Sequence, residues 1–239
     1  MRVVRVIPSN PFLVLFYRLF ALVVVVVLVW SVLTAGIVAG GGVLGLTLVA
    51  SFLFLLSPWL SEYNVVVWER RVVVEVPSVE WVVVFGVPVP VPRVGLGVVR
   101  QAIAVNVGGG LVPVVAGILM VVAAWRLQPS SVWVFLVDLA TVSLVTYASS
   151  RAVPGVGIVV PGFVPPLVSS LVAVSLLGWG PVAAFVSYAA GSIGSLLGAD
   201  VLRLLKELDK LNAPFISIGG VGVFDGVFLS GAISLLLSL

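Results

Sequence analysis

Residues 214–239 read PFISIGGVGVFDGVFLSGAISLLLSL, with a single acid, Asp225, in the middle. Fourteen uncharged residues precede it (Leu211–Phe224) and fourteen follow it (Gly226–Leu239). A helix crosses the hydrocarbon with about 20 apolar residues, so the stretch has the length of a crossing. A carboxylate inside such a stretch is costly unless it is paired, solvated or protonated, and it therefore marks function. A second acid, Asp200, closes the preceding apolar stretch Gly178–Leu205, and a short charged connection separates the two.

The rest of the chain agrees with a membrane setting. Hydrophobic residues are 62% of the 239 and charged residues 9%, against about 25% charged in soluble domains. Uncharged runs cover Leu19–Ser61, Gln101–Trp125 and Ala152–Ala199, the first and last long enough for two crossings each. Blocks such as Val23–Val27 exclude the alternation of a transmembrane barrel. The first apolar run continues past any cleavage site, so no signal peptide is expected. The expected fold is all-α and polytopic. Seven transmembrane helices lie near 12–33, 43–60, 101–125, 132–150, 156–177, 181–205 and 214–237, some broken by glycine and proline.

Basic residues set the orientation. With the N-terminus in the cytoplasm, every Lys and Arg except Arg126 falls at an inner loop or span end, as the positive-inside rule requires. The expected location is the cell membrane, with the C-terminus external. Three regions follow: a two-helix hairpin (1–60), a cytoplasmic valine/proline-rich β loop (61–100) and a five-span core (101–239). In the loop, Val65–Trp68, Val72–Val76 and Trp81–Phe85 read as short strands of a small hairpin or sheet. The tract Val87-Pro88-Val89-Pro90-Val91-Pro92 reads as an extended connector that leaves the ladder.

The net charge of +3 gives no reason to expect a nucleic-acid partner. The chain has neither cysteine nor histidine, which removes thiolate chemistry and the usual zinc and iron ligand sets. No metal or other cofactor is expected. Acid–base work falls to Asp, Glu, Lys, Tyr or backbone. The expected partners are the bilayer and either a membrane-embedded peptide or a small ion.

Glycine and proline break three apolar segments: around Asn106 to Pro113, from Val153 through Pro165-Pro166-Leu167, and at Gly219-Gly220-Val221-Gly222 before Asp225. Irregular backbone at membrane depth is tolerated where it is buried in protein or lines a cavity, and transporters build sites from such breaks. The candidate site is Asp200 and Asp225 as catalytic carboxylates, with Asn106, Asp138, Gly219, Gly220, Gly222, Pro165 and Pro166 along a substrate or ion pathway. Simpler roles exist for two of these acids. Asp200 can pair with Arg203 at i+3, and Asp138 in the fourth span can pair with Arg126.

The stretches AVNVGGGLVP (104–113), RAVPGVGIVVPGFVPPLVSSL (151–171), AAGSIGSLLGADVLRL (189–204) and NAPFISIGGVGVFDGVFLSG (212–231) resemble the prokaryotic membrane family filed as domain-of-unknown-function family sixteen-fourteen. That resemblance implies membership and no activity. A more distant likeness, of arrangement, is to presenilin-type intramembrane aspartyl proteases. These carry one Asp on each of two consecutive helices joined on the cytoplasmic side, the second after Gly-x-Gly-Asp. Here Gly220-Val221-Gly222 precedes Asp225 with two residues intervening, no Tyr precedes Asp200, and no Pro-Ala-Leu follows. The likeness implies an aspartyl-type hydrolase. The alternatives are a proton- or ion-coupled transporter and a non-catalytic assembly or scaffold protein.

Overall fold

The computed structural model describes residues 2–6, 11–39, 41–153, 157–211, 213–220 and 226–239. The chain begins with strand β1 (Arg2–Arg5), then helices α1 (Pro11–Ala39) and α2 (Gly41–Leu60). Two long strands follow, β2 (Tyr63–Val84) and β3 (Val87–Asn106). A π-helical turn, Val107–Leu111, opens α3 (Val112–Leu127), and α4 is Ser131–Ser149. A short hairpin, β4 (Arg151–Val153) and β5 (Gly157–Val159), leads into α5 (Val164–Leu177). Helix α6 (Pro181–Ser195) runs on through a π-helical segment, Leu196–Arg203, into α7 (Leu204–Glu207). Strand β6 (Phe215–Ile218) and helix α8 (Gly226–Ser238) complete the fold.

Four helical stretches are long and apolar enough to cross a membrane: Gly42–Leu60, Val107–Leu127, Ser131–Ser149 and Pro181–Lys210. Shorter apolar helices are Pro11–Val27, Val164–Leu177 and Gly226–Ser238. These are the helices of a membrane protein. The expectation of seven full-length spans is met only in part, and the all-α expectation needs correction. Three of the expected spans begin as strand: Gln101–Asn106 belongs to β3, Gly157–Val159 is β5, and Phe215–Ile218 is β6. The resulting sheet is mixed, in the order β1-β2-β3-β6. β1 and β3 run antiparallel to β2, and β6 lies parallel to β3 (Ala102 opposite Phe215, Val105 opposite Ile218).

The valine/proline-rich region is one long ribbon. β2 pairs with β3 from Asn64 opposite Asn106 to Val84 opposite Val87, and the turn Phe85-Gly86 has positive φ at both residues. Such a two-residue turn matches the twist of its flanking strands. The Val-Pro tract therefore stays in the ladder, contrary to the connector reading. Pro88, Pro90 and Pro92 lie opposite Val83, Trp81 and Val79 at every second position, so their nitrogens share one direction. That direction is the free edge of β3, where no donor is required.

Helix α6 is the hub of the bundle, packing against α3, α4, α5 and α8. Its sequence, PVAAFVSYAAGSIGS, is almost entirely small and almost entirely buried, and small residues let helices approach closely. At Gly194 a Cβ would press into Val142 of α4. Phe54, Tyr188 and Phe228 fill the seam between α2, α6 and α8, with the Phe54 and Phe228 rings stacked at 4.6 Å.

Candidate functional site

Asp200 lies in the π-helical segment that continues α6. π-helical turns leave irregular backbone and recur at functional sites. The carboxylate faces away from Arg203, whose guanidinium instead pairs with Glu207 at 3.0 Å. Asp200 Oδ2 accepts a hydrogen bond from the Gly219 amide at 2.7 Å. Gly219 and Gly220, just past β6, have φ of +83° and +85°, a conformation glycine adopts without strain. A Cβ on Gly219 would collide with the Gly109–Gly110 backbone. Two of the broken segments therefore meet backbone to backbone.

Asn106, fully buried, organises that junction. Its Oδ1 accepts from the Gly109 amide at 2.7 Å, capping the π-helical turn, while its Nδ2 donates to the Ser61 carbonyl at 2.7 Å and to Asn64 Oδ1 at 3.0 Å. Ser217 of β6 donates to the same Asn64 oxygen at 2.6 Å, and Ser57 of α2 donates to the Gly108 carbonyl at 2.6 Å. The end of α2, the β2–β3 base, the start of α3 and the β6–glycine turn are thus one hydrogen-bonded unit. Satisfying these polar groups internally is what buried irregular backbone requires.

Beside this unit is a cavity of about 390 Å³, within the range of small-ligand sites. Asp200, Ser195, Pro165, Ser217, Gly220 and Gly226 are among its lining residues. Two runs of consecutive residues also border it, Gly157–Val160 and Phe215–Ser217. Successive strand residues point to opposite faces, so a consecutive run places a strand's edge at the wall. Among the described residues β5 pairs only with β4, and β6 only with β3. Each has its other edge unpaired.

Asp138 and Asn106 do not line this cavity. Asp138 is buried between helices, where its Oδ2 lies 2.9 Å from Ser169 Oγ of α5; Arg126 is exposed at the end of α3 and is not its partner. Pro166 is buried in the first turn of α5, next to the cavity residue Pro165. Asp225, Gly222 and Pro154 lie outside the described residues. The short charged connection between Asp200 and Asp225 is tied into the fold: Glu207 is largely buried beside Arg203, and Asp209 pairs with Arg70 at 2.7 Å. Sequence reasoning passed over Asn64, Ser169, Ser187 and Ser217. Single serines in apolar helices carry no spacing signal, and Asn64 sits in what read as a solvent-facing loop.

With this geometry in view, comparison with known proteins adds one result. The family model described as "Protein of unknown function (DUF1614)" matches residues 59–237, and the chain belongs to that family. The match contains the whole β2–β3 ribbon and both acids of interest, and no presenilin-type relationship accompanies it. No curated protein and no solved structure matches the chain.

Proposed function

We propose that this member of the DUF1614 family takes an extended peptide segment into the Asp200 cavity and hydrolyses it, with Asp200 and Asp225 as the two carboxylates. One observation carries the reading: unpaired edges of β5 and β6 and a carboxylate wall the same cavity. A peptide entering as a strand would satisfy edge amides and carbonyls that otherwise lack partners, the mode by which many domains bind extended chains. In the reaction one carboxylate takes a proton from water, whose oxygen attacks the scissile carbonyl carbon. The other gives its proton to the carbonyl oxygen, and the tetrahedral intermediate then collapses with proton transfer to the departing nitrogen. The Gly219 amide at Asp200 Oδ2 would hold that carboxylate in place.

A coupled carrier is the second reading. It is favoured by the short helices α5 and α8, 14 and 13 residues long, whose first turns contribute Pro165, Gly226 and Val227 to the cavity. At 1.5 Å per residue they extend only about 20 Å, and half-helices that start at a site near mid-membrane are a transporter device. The discriminating experiment uses purified protein in liposomes, assayed both for cleavage of membrane-spanning reporter peptides and for proton-driven flux. The hydrolase reading expects cleavage by the wild type and its loss in both Asp200→Asn and Asp225→Asn. Flux without cleavage, abolished by Asp200→Asn, transfers the site to the carrier reading.

A further inference from the structure

The carboxylate of Asp138 has no part in the Asp200 cavity. It lies in α4, seven residues past the start of the helix, with no exposed surface. The elements packed against α4 are α3, α5, α6 and the π-helical segment after α6. Helices α5 and α6 contain no charged residue, and Tyr188 is the one titratable group on either. Helix α3 brings only Arg126, exposed at its end, and the π-helical segment brings Asp200 and Arg203, the latter paired with Glu207. Asp200 is thirteen residues along the continuous helix from Ser187, about 20 Å away. No cation meets Asp138 from any side among the described residues. Among those residues its Oδ1 also has no hydrogen-bond partner.

The hydroxyls around it show what is missing. Ser169 Oγ lies 2.9 Å from Asp138 Oδ2 and 2.8 Å from the Ser187 carbonyl of α6. Both neighbours are acceptors when the acid is ionised, and a serine has one hydrogen. The Ser187 carbonyl also takes a hydrogen bond from Ser234 of α8 at 3.0 Å, and Ser187 Oγ donates back to the Ser234 carbonyl at 3.1 Å. The cluster joins α4, α5, α6 and α8, and none of its hydroxyls reaches Asp138 Oδ1.

We propose that Asp138 is a proton-binding site, occupied at neutral pH, whose proton completes the hydrogen bonding between α4, α5 and α6. A hydrogen on Oδ2 donates to Ser169 Oγ, and the Ser169 hydrogen is then free for the Ser187 carbonyl. Oδ1 becomes the carbonyl oxygen of a neutral acid, which apolar surroundings tolerate far better than half of a carboxylate. Oxygen separations of 2.8–2.9 Å around Ser169 are those of hydrogen bonds, so a proton is the ligand this spacing fits. Loss of the proton would leave Ser169 able to serve one helix and not the other. Proton occupancy is thereby tied to the seam between α4 and the hub helix that leads to Asp200. The inference does not rest on the hydrolase reading.

Infrared spectroscopy of the purified protein in lipid tests it without any activity assay. The protonated-carboxyl C=O region at neutral pH should contain one band that is present in the wild type and in Asp200→Asn and missing in Asp138→Asn, separate from any band of a proton shared by Asp200 and Asp225. Ser169→Ala should move that band to higher frequency, because the acid loses its acceptor. This second variant keeps the test intact if Asp138→Asn does not fold. Identical carboxyl-region spectra for the wild type, Asp138→Asn and Ser169→Ala would overturn the proposal. So would loss of the band on adding sodium at constant pH, which would make the site one for a metal cation.

Discussion

Asp138 lies in α4 against the hub helix and Asp200 in the π-helical continuation of that helix, and among the described residues neither meets a cation, yet the groups that answer them differ in kind. Asp138 sits in regular helix, packed by regular helices whose backbone amides are already spent on their own turns, so only a side-chain hydroxyl is available, and Ser169 supplies it. Asp200 sits where the backbone is irregular, and a free amide, that of Gly219, answers it. Regular helix satisfies its own polar groups; breaking it releases amides that can donate to a carboxylate. Under the two proposals the acids take different roles: a closed proton site at Asp138 and an open chemical site at Asp200.

Catalysis should separate the two acids most widely. Under the proposed hydrolysis, Asp200→Asn should slow reporter-peptide cleavage by at least about 100-fold, the scale of losing a general acid or base. Asp138→Asn should stay within about threefold, since it removes no group from the cavity. Equal losses in both variants would erase the distinction. The measurement is initial cleavage rate in liposomes at matched protein content.

Stability tests the claim that irregular backbone is the device at Asp200. Gly219→Ala places a Cβ against Gly109 and Gly110 at a φ of +83°. Strain and overpacking together should cost roughly 2–4 kcal/mol. Gly162→Ala, at a residue that lines the cavity, meets open space at an ordinary φ and should change thermal stability by less than about 0.5 kcal/mol. Comparable losses at the two glycines would remove the backbone argument. The readout is the thermal midpoint in one lipid or detergent condition.

These particulars also show what could be read from the residues alone. The membrane class and helices α1, α2 and α6 follow from uncharged apolar runs, and α4 from a run broken only by Asp138. The strands ahead of α3, α5 and α8 do not. Phe215–Ile218 is as apolar as the helix it precedes, Gln101–Asn106 carries no charge, and hydropathy averages over the change of conformation. The paired ribbon was hidden by its prolines, because a single sequence does not show that their nitrogens all face a free edge. At the site, the acid Asp200 and the glycine breaks stood out by rarity. Their partners are ordinary residues, Asn64, Ser169 and Ser217, that only the fold brings into contact.

A smaller effect is expected within the Asp138 cluster. Ser169 bridges two helices, whereas its neighbour Ser170 returns its hydroxyl to Leu167 of its own helix at 3.1 Å. Ser169→Ala should cost about 1–3 kcal/mol by leaving the buried Asp138 hydrogen without its acceptor. Ser170→Ala should cost less than about 1 kcal/mol, because the carbonyl it serves lies within the helix. A larger loss at Ser170 would show that local packing, and not the bridge, governs this seam.

The smallest effect concerns Arg203, which the simple i+3 rule would pair with Asp200. The structure pairs it with Glu207, at i+4, while Asp200 turns to Gly219. The π-helical segment gives the reason. Its wider turn rotates each side chain away from the i+3 neighbour it would meet in an α-helix, and regular spacing resumes only in α7. A double-mutant cycle separates the two pairings. Arg203→Gln with Glu207→Gln should show a coupling of about 0.2–1 kcal/mol, typical of ion pairs that are not deeply buried. Arg203→Gln with Asp200→Asn should show coupling near zero. If the second cycle instead gives the larger value, Asp200 is held by charge, and its contrast with Asp138 reduces to an ordinary ion pair.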